Sequence, residues 1–247
     1  MSPEALLLAA LFFAAALLYA SVGHAGASAY LAAMAVVGMA PAEMRPTALV
    51  LNLFVAGIVV IRFSRAGHLP WRALAPLVAG SIPAAFIGGS IELPGDVYRH
   101  LVAIVLLAGA WRLATAGSRE AAEDQDHVPT IAGILAGAGI GLLAGLTGTG
   151  GGIFLTPLLV LAAWTGTRAA AGLSGAFIGL NSVAGLAGLA VGGGIVLPAA
   201  LPLWVGAVVA GGLIGSWLGS ARFSILGLRR VLAVVLVLAA AKLAFFP

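Results

Sequence analysis

Cysteine is absent from the 247 residues, which removes disulfides, thiolate metal sites and cysteine nucleophiles together. Charge is nearly as scarce. Only 8% of residues are Asp, Glu, Lys or Arg, against about 25% in soluble proteins, so the polar surface is too small to cover a water-soluble globule. The acidic residues Glu4, Glu43, Glu92, Asp96, Glu120, Glu123, Asp124 and Asp126 all fall at the ends of apolar runs or between them. No carboxylate is left for the core, where cation pumps and many proton-coupled carriers keep one. That argues against metal and organic-cation substrates, and no metal or cofactor is expected. With nucleophile, carboxylate and metal ligands missing from the core, neither is an enzyme. The basic residues are scattered at segment ends rather than gathered on one face, which argues against a nucleic-acid partner despite the net charge of +4. No basic n-region precedes the first apolar run, so that run is expected to be a retained helix rather than a cleaved signal.

What is present is apolar sequence: 62% of the residues are hydrophobic, the composition of an integral membrane protein. Ten segments are predicted, at residues 4–22, 27–38, 46–61, 72–91, 98–116, 131–146, 153–163, 170–191, 199–219 and 229–246. One longer water-soluble stretch, Gly117 to Pro129, separates the fifth from the sixth. The expected organisation is a first membrane repeat over 1–116, a cytoplasmic linker over 117–130 and a second membrane repeat over 131–247. The halves echo each other. Arg99-His-Leu-Val-Ala-Ile104 parallels Arg229-Arg-Val-Leu-Ala-Val234 at an offset of 130, Leu69-Pro70 parallels Leu197-Pro198 at 128, and Asn52 parallels Asn181 at 129. Five crossings per half would insert the second half upside down. The predicted fold is therefore all-α, with two inverted-topology repeats of five segments.

Arginine placement tests that prediction. With ten crossings and the N-terminus outside, the inner side receives Arg62, Arg65, Arg72, Arg112, Arg119, Arg168, Arg222, Arg229 and Arg230, and the outer side only Arg45, Arg99 and Lys242. This is the direction the positive-inside rule demands, whereas eight crossings divide the charges evenly. The second segment is too short to cross as a helix, so extended glycine-rich backbone is expected to complete it.

The glycine-broken stretch Gly145-Leu-Thr-Gly-Thr-Gly-Gly-Gly-Ile-Phe-Leu-Thr-Pro157 carries the functional signal, with a weaker copy at Ala20-Ser-Val-Gly-His-Ala-Gly-Ala-Ser28. Unwound backbone at membrane depth survives only where it lines a polar cavity, and paired breaks in two halves point to a transporter's binding site. The stretch lacks the Gly-Lys-Ser/Thr ending of a phosphate loop. Helix packing explains Gly185, Gly188, Gly211, Gly212 and Gly215, but three adjacent glycines at 150–152 exceed that need. Half-helix N-termini present unpaired N–H donors and partial positive charge, which suits a small anion. The candidate substrate-binding set is Gly23, His24, Gly26, Ser28, Asn52, Thr147, Gly148, Thr149, Gly150, Gly151, Gly152 and Asn181. His24 is the one titratable group near either break, and is read either as a substrate donor or proton carrier or as a partner for a freed carbonyl. Asn52 and Asn181 either bridge helices or face substrate. Most of the tryptophans, Trp71, Trp111, Trp164, Trp204 and Trp217, are read as interfacial anchors.

With Gly148-Thr-Gly-Gly-Gly-Ile-Phe-Leu-Thr-Pro157, Leu180-Asn-Ser-Val-Ala-Gly185, the duplicated layout and the size, the whole chain resembles the TauE/SafE sulfite-exporter family of bacterial membrane permeases. The resemblance implies a multi-pass protein of the cytoplasmic (inner) membrane that moves sulfur-containing anions such as sulfite, sulfoacetate or thiosulfate. It points to Gly148, Gly150, Gly151, Gly152, Pro157 and Asn181 as matching positions. The first half departs from the pattern, with Gly23-His-Ala-Gly-Ala-Ser28 in place of a fuller glycine run and Ala32 in place of the proline. The expected function is a secondary permease working by relative movement of the halves, with an anion channel or a carrier for small organic carboxylates as the alternative. Its partners would be a small anion and the lipid bilayer, with homo-oligomerisation left open.

Overall fold

The computed structural model describes residues 2–115, 127–218 and 226–245. Ten helices appear among them: α1 (Pro3–Ser21), α2 (Ala27–Val37), α3 (Pro41–Arg65), α4 (Trp71–Ser90), α5 (Gly95–Thr115), α6 (Thr130–Thr147), α7 (Gly152–Leu161), α8 (Thr167–Gly192), α9 (Leu201–Leu218) and α10 (Leu226–Phe245). They correspond one for one with the ten apolar segments. Apart from its last four residues, the stretch read as a linker at 117–130 lies outside the described residues, as do Arg119 and Arg222. Among the described residues, α1, α3, α4, α6, α8 and α9 are long and apolar enough to cross a membrane. By contrast α2 and α7, with 11 and 10 residues, reach only about 15 Å at 1.5 Å per residue, half of a ~30 Å hydrocarbon core.

The third helix begins earlier than the hydropathy pattern predicts. Pro41 at its first position is already set for a helix start, and Pro46 inside it removes a single backbone donor. Arg45 is therefore not a loop residue. It sits on α3 and is 6% exposed.

Small residues decide how the helices pair. On α6, Gly133, Gly137, Gly141 and Gly145 recur every fourth residue, and a Cβ at 137, 141 or 145 would strike the carbonyls of Leu77, Ser81 and Ala85 on α4. The two backbones touch and run parallel. α9 meets α1 in the same way, Gly211 against the Phe13 carbonyl and Gly215 against that of Leu17. Lipid offers no hydrophobic drive for helix association, so close backbone approach of this kind supplies the dispersion contact that does. Trp204 locks the second pair: its Nε1 donates to the Ala5 carbonyl at 3.0 Å, and Phe12 packs edge-on to both Trp204 and Tyr30. Trp204 is buried, and is thus no interfacial anchor, whereas Trp71, Trp111 and Trp217 are exposed. α3 and α8 run antiparallel, since Gly175, Gly179 and Gly185 meet Val59, Ala56 and Leu49 in turn.

These interfaces join the first five helices to the last five, so the halves interleave instead of lying side by side. A movement of the two halves as separate bodies would have to part them. The larger contacts are also largely preserved under exchange, though α1·α2 has no comparable α6·α7 contact. Moving each label by five turns α1·α9 into α6·α4, α3·α9 into α8·α4, α2·α3 into α7·α8 and α2·α10 into α7·α5, and returns α3·α8 and α5·α10 to themselves.

Candidate functional site

The two breaks share left-handed glycines at two matching positions, and the second adds a third at Gly150, where the first has Ala25. Gly23 and Gly26 have φ of 82° and 100°, and Gly148 and Gly151 have φ of 84° and 83°. The spacing is identical, and these left-handed conformations cost residues with a Cβ about 1–2 kcal/mol each. Gly26 and Gly151 are the N-caps of α2 and α7. The Gly26 carbonyl accepts from Ala29 and Tyr30, and the Gly151 carbonyl from Phe154 and Leu155. The N–H groups of Gly26, Ala27 and Ser28, and of Gly151, Gly152 and Ile153, consequently find no backbone acceptor among the described residues. Each break is a short turn of four or five residues between helices rather than the extended crossing expected from segment length, with left-handed glycines at or next to both of its ends.

The surroundings of the breaks cross over between halves. A Cβ on Gly23 would meet Ala171 of α8, and one on Gly148 would lie 3.0 Å from the Arg45 carbonyl of α3. A Cβ on Gly150 would come within 2.9 Å of Asn52 Nδ2, and one on Gly152 within 3.5 Å of the His24 ring. The structure thus brings His24, Asn52, Gly150 and Gly152 together from α1–α2, α3 and the second break. Asn181 is one turn beyond Ile178, which itself packs on Gly150 and Gly152. Asn52 is the twelfth of 25 residues in α3 and Asn181 the fifteenth of 26 in α8, so both amides sit midway along the longest helices.

Both asparagines are fully buried, and among the described residues neither their oxygen nor their nitrogen has a hydrogen-bond partner; Ser182 beside Asn181 is likewise unpartnered there. Among the described residues neither amide bonds a neighbouring helix. A buried amide left unpaired costs roughly 1–3 kcal/mol. Other candidate side chains are already engaged. Ser28 bonds the Tyr19 hydroxyl at 2.7 Å. Thr147 donates to the Leu143 carbonyl at 2.6 Å and so accepts from Thr149 at 2.9 Å, while Tyr98 donates to the Thr147 carbonyl at 3.1 Å.

His24 links the first break to the second half. Its Nδ1 lies 3.1 Å from the Val22 carbonyl, its Nε2 2.9 Å from Thr156 Oγ1, and Thr156 lies 2.6 Å from Ser174 Oγ. A carbonyl only accepts, so Nδ1 carries a proton and a neutral His24 receives the Thr156 hydroxyl proton at Nε2. Protonating Nε2 reverses the chain, with Thr156 then donating to Ser174. Thr156 and Ser174 were not candidates from sequence; their hydroxyls are ordinary helix residues until the fold sets them against His24.

Arg45 was also missed, being counted as a loop cation. Its Nε donates to the Gly145 carbonyl at 2.7 Å, Nη1 to that of Ile91 at 3.0 Å, and Nη2 to that of Gly88. These carbonyls end α6 and α4, where a cation is favoured by unpaired acceptors and the negative end of the dipole.

A family model described as sulfite exporter TauE/SafE matches residues 7–243, almost the whole chain. The chain belongs to this family. A TauE/SafE protein is a membrane transporter and not an enzyme, and this one is multi-pass, with a small-molecule substrate. The TauE/SafE chain is also 39% identical over 180 residues to "Probable membrane transporter protein y4hK" of Sinorhizobium fredii, covering 72% of this chain and 73% of the relative. No solved structure matches it.

Proposed function

We propose that this TauE/SafE transporter is a secondary permease for small sulfur-containing anions such as sulfite, sulfoacetate or thiosulfate, residing in the cytoplasmic (inner) membrane. The substrate would lie near the bilayer midplane, between the N-termini of α2 and α7 and within reach of Asn52 and Asn181. The carrying observation is the coincidence of two matched glycine turns, whose helix-start N–H groups have no backbone acceptor, with two fully buried amides that have no partner among the described residues. Such donors hold an oxyanion without a full opposing charge, which keeps binding weak enough for release. The family description supports the sulfur-anion class. The opposite directions of α3 and α8, and the larger helix contacts that are matched on exchange of the halves, support inverted-topology repeats at 1–116 and 131–247.

Export of an anion is favoured by the membrane potential by about 2.3 kcal/mol per charge per 100 mV, so no ATP-driven step is needed. Counterflow of labelled sulfite in proteoliposomes tests the proposal, with sulfite, sulfoacetate, thiosulfate or acetate loaded inside in turn. Exchange with a sulfur anion supports it. No exchange with any of them, in folded protein, would remove the sulfur-anion assignment, and sulfite flux without exchange would make it an anion channel.

A further inference from the structure

Arg45 is the one buried charge whose side-chain bonds are described, and no carboxylate lies within salt-bridge distance of it among the described residues. Its partners are three neutral carbonyls on two other helices. The helices it connects fall into two groups on either side of the α3·α8 contact, which is itself more extensive than that of α3 with α9. α3 packs against α9, which is sealed onto α1, while α4, α6 and α8 are joined by backbone contacts at Gly137, Gly141, Gly145 and Gly188. Between the groups runs the α3·α8 interface, which carries Asn52 and Asn181. Arg45 reaches over one end of that interface, seven residues before Asn52. The equivalent neighbour of the first break is Ala171, which sits against Gly23 as Arg45 sits against Gly148. At that opposite end the groups are connected by the His24–Thr156–Ser174 chain, which contains no arginine or lysine.

We propose that Arg45 is a one-sided tie in alternating access: its three bonds hold the α1·α3·α9 group against the α4·α6·α8 group at the face where α3 begins, and that face opens only when they are exchanged. This rests on the reading of the protein as a carrier working across the α3·α8 interface. Charge-assisted bonds outlast neutral ones, so the asymmetry biases the resting protein toward closure at the Arg45 end. Lysine cannot reproduce the tie, because an ammonium lacks the planar fork that reaches three fixed acceptors.

The cysteine-free sequence makes the test direct. Thr47, two residues past Arg45, is fully buried with an unpartnered hydroxyl, and Thr47→Cys provides a reporter there. Ala42→Cys, exposed in the first turn of α3, marks which side of the membrane that face occupies. Labelling by a membrane-impermeant maleimide is measured in proteoliposomes for Thr47→Cys alone and combined with Arg45→Gln or Arg45→Lys. The expected result is labelling faster by roughly tenfold in both combinations, from the Ala42 side only. Unchanged labelling in folded protein overturns the tie, as does equal acceleration from both sides, which marks general loosening. If Arg45→Gln fails to fold, Arg45→Lys decides. Counterflow is scored separately on the Thr47→Cys protein: accelerated one-sided labelling without sulfur-anion exchange would keep the tie and remove the substrate assignment.

Discussion

Asn52 Nδ2 lies 2.9 Å from the point where a side chain on Gly150 would begin. The amide of one half thus occupies the space that glycine vacates in the other. Gly150→Ala would add a methyl against Asn52 and Ile178 and also strain a φ of 70°. Anion exchange is expected to fall at least about tenfold with folding retained, since the strain is only about 1–2 kcal/mol. Counterflow beside a thermal unfolding scan checks this, and full activity in Gly150→Ala would remove the second break from the site.

Asn52→Leu and Asn181→Leu separate function from packing. Each replaces an unpartnered amide by an apolar group of similar size, so stability is expected to stay level or rise by up to about 1–3 kcal/mol while transport is lost. A clear drop in unfolding temperature in either variant would mean that the amide holds helices together.

His24 reverses the hydrogen bonds of Thr156 and Ser174 when it gains a proton at Nε2. If that reversal couples transport to protons, His24→Ala should flatten the pH dependence of exchange between about pH 5 and 8, where histidine ordinarily titrates. A pH profile identical to that of the unmodified protein would end the coupling role.

Gly141 and Gly139 give a matched pair on α6. A Cβ at 141 meets the Ser81 backbone, whereas at 139 it meets nothing within 4 Å. Gly141→Leu is expected to cost more than about 3 kcal/mol or abolish folding, and Gly139→Ala to be neutral or stabilising by up to about 1 kcal/mol. Detergent-solubilised thermal scans distinguish them; tolerance of Gly141→Leu would contradict the α4·α6 contact.

If the repeats are inverted, Ala42 and Arg168, both in the first turns of their helices α3 and α8, lie on opposite sides of the membrane. Single cysteines at these positions should label from opposite faces in intact cells. Labelling from the same face would refute the inversion.

Ten helices and both breaks were legible because apolar runs and glycine clusters are local signals. Asn52 and Asn181 stood out as amides inside apolar sequence. Arg45 did not, because Arg45-Pro46 reads as the end of a loop, and only the carbonyls of Gly88, Ile91 and Gly145 make a buried guanidinium tenable. The shape of the breaks was also hidden: length implied extended chain, while short turns with left-handed glycines at Gly23, Gly26, Gly148 and Gly151 join the helices. Pairing of α1 with α9 and α4 with α6 had no sequence signature beyond small residues, since helices apolar all round show no preferred face.

That pairing sets an order on the protein's own synthesis. α1 is made well before the helix that fills its groove, α9, with seven other helices between them in the chain. Until then the Phe13 and Leu17 turns face lipid, and neither the first five helices nor the last five can complete a bundle alone. Two separately expressed halves should therefore assemble only when made together in one membrane.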